Sequence, residues 1–275
     1  MIEIPEAHTL ARQFEETLTG KFITRAVADS SHHGFAFYFG DPAEYGERLE
    51  GKRVTGAVAH GGRPEIFIED IRLSLGEGVN PRFLAPGAPR PPKHQLLMEF
   101  DDDSAMCCTI QMYGSLQAFP DGAQDDYYYL VGKEKPSVLG DEFTKMYFSS
   151  LLTDETAKVS TKAFLATDQR IPGLGNGVCQ DILWEAMLHP KRKMNTLSAE
   201  EFSALYTTVT TVLSEMTLAG GRNTEKDLFG NPGGYHVALS RLTFESGCRR
   251  CGSSIRKMAY LGGQVYFCEN CQPLS

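Results

Sequence analysis

The stretch Cys248-Arg-Arg-Cys251-Gly-Ser-Ser-Ile-Arg-Lys-Met-Ala-Tyr-Leu-Gly-Gly-Gln-Val-Tyr-Phe-Cys268-Glu-Asn-Cys271 carries two C-x2-C knuckles separated by sixteen residues. Thiolate pairs at this spacing suit a tetrahedral zinc site, each knuckle wrapping one side of the ion. The residues between them are enough for two short strands, Ile255 to Leu261 and Gln264 to Phe267, with the turn at Gly262-Gly263. The tail therefore reads as a β-hairpin closed by a structural Zn2+ on Cys248, Cys251, Cys268 and Cys271. Two disulfides in a secreted chain would need a signal peptide, and the start Met-Ile-Glu-Ile-Pro-Glu shows neither a basic nor an apolar leader segment.

Cys107, Cys108 and Cys179 lie in apolar surroundings without paired spacing and read as buried, reduced thiols, which points to a cytoplasmic chain. No apolar run reaches the ~18 residues that a membrane span needs. A length of 275 residues is enough for two domains with separate cores. The net charge of -8 argues against a simple nucleic-acid binder, but the acid is confined to the first half. From Leu151 onward there are 13 basic and 12 acidic residues, against 14 and 23 before it. The groups Lys191-Arg192-Lys193, Arg249-Arg250 and Arg256-Lys257 could neutralise phosphates locally, or could simply be solvated surface.

The chain opens with a loop carrying Glu3, Pro5 and Glu6, followed by a helix marked by Leu10, Phe14 and Leu18 at four-residue spacing and ended by Gly20. The period then shortens. Segments Phe35–Phe39, Val54–Val58, Glu65–Ile68, Ile71–Leu75, Gln95–Phe100 and Met106–Met112 alternate or run apolar between turn residues, as in an antiparallel β-sandwich. Leu84 to Pro92 is a proline-rich connection, and residues from about Pro120 to Gly140 lack periodicity and read as a linker. The second half is helical at Ser160–Thr167, Val178–Leu188 and Ser198–Leu218. Between the first two lies Ile171-Pro-Gly-Leu-Gly-Asn-Gly177, with Asn176 as the expected N-cap. A helix start of this kind can hold a phosphate on its free N–H groups, or can be a capped turn that binds only water. The fold class is α+β, in three parts: a β-sandwich domain over 1–135, a helical domain over 136–235 and a zinc hairpin over 236–275.

Taken together, Glu3-Ile-Pro-Glu6 ahead of an amphipathic helix, Gly173-Leu-Gly-Asn176 between two helices, His189-Pro190, Gly220-Gly221 and the C-x2-C-x16-C-x2-C-Gln end resemble the formamidopyrimidine-DNA glycosylase and endonuclease VIII family. The resemblance runs the whole length, strongest over the first twenty-three residues and from Ser160 to Gln272. It implies a sandwich lobe, a helix-two-turn-helix lobe with a zinc finger, and a cleft that grips bent duplex DNA with a damaged base flipped out. The implied activity is that of a DNA glycosylase with abasic-site lyase action, working as a monomer on duplexes with a damaged base or an abasic site.

In that family an N-terminal proline amine attacks C1′ to give a Schiff base, and the next residue, a glutamate, handles protons. Glu3 is in register with that glutamate, and Glu6 follows; the proline position is Ile2. Either Met1 stays and supplies its own amine, or processing exposes that of Ile2. The resemblance further implies Arg63 in place of a lysine near the reaction, Gly175 and Asn176 as a phosphate-binding turn, Met112 and Tyr113 as apolar wedges, and Gln264 beside the lost finger arginine, where Gly263 stands. His94 joins the DNA contacts, although it, His8, His60 and His189 lack partners at a recognisable spacing and read as structural. Asp181 falls where the family has glutamate. Two further readings are a damaged-DNA binder that does not cut, and a zinc-stabilised interaction module that meets no nucleic acid.

Overall fold

The computed structural model describes residues 1–274. Helix α1 spans Ile4–Leu18 and buries Leu10, Phe14 and Leu18, the stripe its four-residue spacing predicts. It begins earlier than expected. Pro5 and Glu6 lie inside its first turn, where proline sacrifices no intrahelical hydrogen bond, so the expected leading loop is confined to residues 1–3. The Glu6 carboxylate accepts the N–H of Glu3 at 3.2 Å, half of a capping box.

Strands β1 (Ile23–Ala28), β2 (Ala36–Tyr38), β3 (Val54–His60), β4 (Arg63–Ile68), β5 (Ile71–Leu75), β6 (Val79–Leu84), β7 (Leu96–Phe100), β8 (Ala105–Ile110) and β9 (Gly114–Pro120) make the first lobe, with a short helix α2 (Tyr45–Leu49) between β2 and β3. One sheet runs β1-β7-β8-β6 and the other β2-β9-β5-β4-β3. Their inner faces share a core that includes Ile23, Met98, Met106 and Ile110 from the first and Val54, Ile66, Leu73 and Leu116 from the second. The β-sandwich is thus as expected, with one departure: edge strand β2 pairs parallel to β9, because the chain reaches that edge through α2 and other strands rather than a hairpin. Tyr45 of α2, wholly buried, donates its hydroxyl to Leu116 O at 2.7 Å.

The expected linker contains a helix, α3 (Tyr127–Glu134). Asp126 caps it, and Tyr129 packs edge-on against Phe119 at 5.2 Å, so this segment belongs with the first lobe's packing. Beyond it come α4 (Lys145–Ser150), α5 (Thr161–Ala166), α6 (Asn176–Glu185) and α7 (Ala199–Leu218). Phe148, Phe164, Val178, Ile182, Leu205, Val209 and Met216 are among the buried side chains of the second core. Ser198 caps α7, its hydroxyl accepting from Glu201 N while the Glu201 carboxylate accepts from Ser198 N. Strands β10 (Arg256–Tyr260) and β11 (Gly263–Phe267) form the terminal antiparallel hairpin.

Two features tie the halves together. Ile4 of α1 sits in the helical core while Ala7, Leu10 and Phe14 of the same helix sit in the sandwich core. Leu228, from beyond α7, returns to the sandwich core, and its carbonyl accepts the N–H of Phe83 at 2.9 Å. Among the described residues no helix is long and apolar enough to cross a membrane.

Candidate nucleic-acid interface and the N-terminal cluster

The elbow before α6 is made by backbone contact. Gly173 has φ +81 and stands so close to the β3–β4 turn that a Cβ on it would be 2.0 Å from Gly62 N. No side chain fits there. The elbow is thereby pressed against the sandwich lobe, and the Gly173 carbonyl accepts Ile4 N at 3.2 Å.

The sequence placed Asn176 at the N-cap; the cap position is Gly175, and Asn176 is the first helical residue. The cap itself comes from far away in the chain. The carboxylate of Glu3 accepts Gly177 N and Val178 N, both at 2.9 Å. These are the N–H groups that a phosphate would otherwise use, so the inner side of the helix start is already satisfied. Asn176 turns toward the hairpin instead and donates Nδ2 to Gln264 O at 3.0 Å, while its Oδ1 is buried without a hydrogen-bond partner among the described residues. Gln180 adds a second link one turn on, donating to Asn176 O at 3.0 Å and accepting Tyr266 N at 2.6 Å. The glycine–asparagine elbow and the tip of the cysteine hairpin therefore form one surface.

Glu3 stands at the N-cap of α1 and Glu6 in its first turn. Both are buried, each about 5% exposed. The reason is Arg222, which the sequence reading did not single out. Its guanidinium, 3% exposed, donates Nη2 to Glu6 at 2.7 Å and Nε to Glu6 at 3.0 Å, lies 3.4 Å from Glu3 through Nη1, and reaches Met1 O at 3.2 Å. Burial alone would lower its proton affinity, but Glu3 and then Glu6 raise it well above the ordinary arginine value. A Cβ at Gly177 would fall 1.7 Å from Arg222 Nη1, so the glycine there leaves room for the guanidinium.

The terminal residues are held by the same cluster. The amino group of Met1 pairs with Glu225, and Ile2, 5% exposed, donates its N–H to Glu77 O at 2.7 Å and packs into the sandwich core. Tyr113 donates its hydroxyl to Glu77 at 2.6 Å, which pushes the phenol up to about 12, with burial adding to the shift. Met112 and Tyr113 are 68% and 40% exposed. Arg63 donates Nη1 to Ser115 Oγ at 3.1 Å and lies 3.8 Å from Asp126; burial lowers its proton affinity while Asp126 and Glu77 oppose the change. Thus Met1, Ile2, Glu3, Glu6, Gly175 and Asn176 are brought together, with Gln264 joined through Asn176 and Tyr113 through Glu77. His94 is not among them: it is 7% exposed, its Nδ1 meets Pro91 O at 3.0 Å, and its Nε2 is buried without a hydrogen-bond partner among the described residues.

At the tail, the sulfurs of Cys248, Cys251, Cys268 and Cys271 lie within 4.8 Å of one another, with pairs at 3.8 and 3.5 Å. Tetrahedral thiolate ligation at about 2.3 Å per bond requires sulfurs roughly 3.8 Å apart, so this donor set can hold a metal ion. Trp184 Nε1 donates to Cys248 Sγ at 3.3 Å, and the guanidinium of Arg250 stacks 4.0 Å above the Trp184 ring. Gln272 fastens the end of the hairpin by accepting Cys268 N and donating to Leu188 O, both at 2.9 Å. Several of the basic residues that sequence offered as phosphate contacts are used within the chain: Arg192 pairs with Glu201, Arg250 with Glu185 and Arg256 with Glu269. Asp181, in the register of a family glutamate, accepts Ala238 N at 2.7 Å and Leu239 N at 2.9 Å and so pins the segment leading to the hairpin.

Residues 135–227 match the model of the formamidopyrimidine-DNA glycosylase H2TH domain, which is the part carrying the elbow, α5 to α7 and Arg222. Formamidopyrimidine-DNA glycosylases of Streptococcus pneumoniae serotype 4 and Lactococcus lactis subsp. cremoris are each 26% identical to the chain, with 99% of both chains covered. The crystal structure of the Lactococcus lactis protein in complex with abasic-site DNA superposes with a TM-score of 0.81 at 25% identity, covering 98% of this chain and 99% of that one. Over nearly its whole length the chain is similar to formamidopyrimidine-DNA glycosylases. The MutM (Fpg) protein from Thermus thermophilus, at 22% identity and a TM-score of 0.80, shares its fold over 99% of both chains. In this chain the elbow before α6, the four-cysteine hairpin and the buried N-terminal carboxylates form one connected unit.

Proposed function

We propose that this chain is a base-excision repair DNA glycosylase that removes a damaged base from duplex DNA and then opens the abasic site by a lyase step, working as a monomer. The observation that carries the reading is the connected wall: Glu3 caps the helix whose first residue, Asn176, touches the cysteine hairpin. Asn176 holds the elbow against the hairpin, and the backbone flanking a lesion would pass along the surface they share. Met112 and Tyr113 would enter the gap left by an extruded nucleotide.

The reactive nitrogen is carried by Met1 or, once Met1 is removed, by Ile2. Once this nitrogen has released its proton, its lone pair can attack C1′. The N–C1′ bond forms as the N-glycosidic bond breaks and the base leaves; the C1′–O4′ bond then opens, O4′ taking up a proton and the nitrogen giving up both of its protons, to leave an imine. Glu3, next to that amine in sequence, would exchange protons at the sugar during ring opening. Its two oxygens have lone pairs beyond those used by Gly177, Val178 and Arg222. A Zn2+ on Cys248, Cys251, Cys268 and Cys271 would supply a rigid tetrahedral anchor for the hairpin and take no part in the reaction.

Sodium borohydride reduction in the presence of an abasic-site duplex tests this reading. A covalent adduct is expected, and peptide mass mapping of it identifies whether residue 1 or residue 2 carries the sugar. Absence of any adduct, with intact binding, removes the amine route and leaves a protein that recognises lesions without cutting.

A further inference from the structure

Four large apolar side chains stay in water at one end of the first lobe: Phe35, Phe37, Met112 and Tyr113, between 40% and 68% exposed. Phe35 and Phe37 flank Ala36 on and beside β2, so they share one face of that strand, while Ala36 and Tyr38 turn inward and pack on the sandwich core. Strand β2 is the sheet's outer strand. Phe37 stands opposite Ser115 of β9, and Phe35 O accepts Gly114 N at 3.0 Å, which puts Phe35 beside Tyr113. The row is continuous with the candidate site: Tyr113 is bonded to Glu77, Glu77 O holds Ile2 N, and Ser115 Oγ holds Arg63.

An exposed aromatic edge strand invites aggregation, and contiguous apolar surface of this kind marks a binding site in soluble proteins. The cation joined to the row through Ser115 is Arg63, which is largely buried and turned toward Ser115 and Asp126. A partner held here is thus held by its apolar faces, not by its phosphates. In a duplex those faces become available only where stacking is interrupted.

We propose that Phe35 and Phe37 extend the Met112–Tyr113 wedge into an apolar platform that receives the bases left unstacked beside the lesion. The inference rests on the reading of the chain as a lesion-duplex binder and names two residues that this reading did not include. Aromatic stacking is sequence-tolerant, so the platform favours a flexible or interrupted site over a particular neighbouring base.

The test compares wild type with the Phe35→Ala/Phe37→Ala and Phe35→Leu/Phe37→Leu pairs. Binding is measured by anisotropy to an abasic-analogue duplex and its intact counterpart over a salt series. A 2-aminopurine beside the lesion reports stacking by its fluorescence. The alanine pair is expected to bind the lesion duplex about tenfold more weakly and to lose the 2-aminopurine quenching. Binding to intact duplex should change by less than about twofold and the salt slope should stay, because no phosphate contact is removed. The leucine pair keeps apolar bulk without rings and should fall between, with an unchanged melting temperature showing that the fold is intact. Unchanged lesion affinity in both pairs, or equal loss on intact and lesion duplex, overturns the platform. So does a dimer of the wild type that the alanine pair abolishes while DNA affinity stays, which would assign the edge to a second copy. A wild type with no preference for the lesion duplex sinks the glycosylase reading and the platform with it.

Discussion

Asn176 donates its side-chain amide to the backbone carbonyl of Gln264 across 3.0 Å, joining the elbow before α6 to the tip of the cysteine hairpin. A single neutral hydrogen bond at a partly exposed site contributes about 0.5–1.5 kcal/mol. Asn176→Ala should therefore shift the melting temperature little, yet weaken binding to an abasic-analogue duplex by about tenfold, since two surfaces that must act together lose their register. Anisotropy titration alongside a thermal melt separates these effects. Equal affinity for the variant and the wild type would show that the hairpin and the elbow do not act jointly.

Among the described residues, Arg222 is the only cation touching two carboxylates that are both about 5% exposed. Arg222→Met keeps the volume but strands Glu3 and Glu6, and removing one partner from a buried ionic cluster costs about 3–5 kcal/mol. The expected drop in melting temperature is on the order of 10 °C. Arg222→Lys restores charge without the planar fork, so it should recover part of the stability and less of the lyase rate. Full recovery of both by lysine would mean that charge alone matters.

Burial raises the Asp181 carboxyl to about 6, against the opposing pull of the Ala238 and Leu239 amides. An unfolded aspartate titrates at about 3.9, so the folded chain holds this proton more tightly. The contribution is then fully present below about pH 4, is lost as pH rises to about 6, and is constant above that. Denaturant unfolding of wild type against Asp181→Asn should show the difference between them change across this window. A carboxyl midpoint below about 4 by NMR would mean that the two amide bonds outweigh desolvation.

Removing metal from the four-cysteine hairpin should release one equivalent of zinc to a chromogenic chelator and abolish binding to lesion duplex, because thiolate sites of this type supply much of the folding energy of a small hairpin. The two larger cores do not include these cysteines. Far-ultraviolet dichroism should therefore stay close to that of the untreated protein. A chelated protein that binds DNA as before would disconnect the hairpin from recognition.

What the sequence disclosed was local. Leu10, Phe14 and Leu18 announced α1, and the cysteine spacing announced the hairpin, since both depend on residues a few turns or one strand apart. Helix α3 escaped notice because only Tyr129 and Val131 are buried, too few to set a period. The cap of α6 falls to Asn176 in the sequence for a similar reason: the carboxylate that serves it, on Glu3, lies 174 residues before the Gly177 N–H it accepts. Arg222 meets Glu6 across 216 positions, and nothing in its immediate neighbours marks it except the preceding Gly220-Gly221. Contacts of that range are written in the tertiary fold. The exposure of Phe35 and Phe37 likewise depends on which face β2 turns inward, which a three-residue strand cannot declare.

Because α1 is rooted in both cores and Leu228 comes back to the first, the chain crosses between lobes more than once. A protease nick in the exposed turn at 121–123 would leave two fragments that still sediment together and melt as one. Any movement of one lobe against the other must be a flexing of one interlaced body, with the amplitude of a jaw hinged at its root, and never the parting of independent beads on a string.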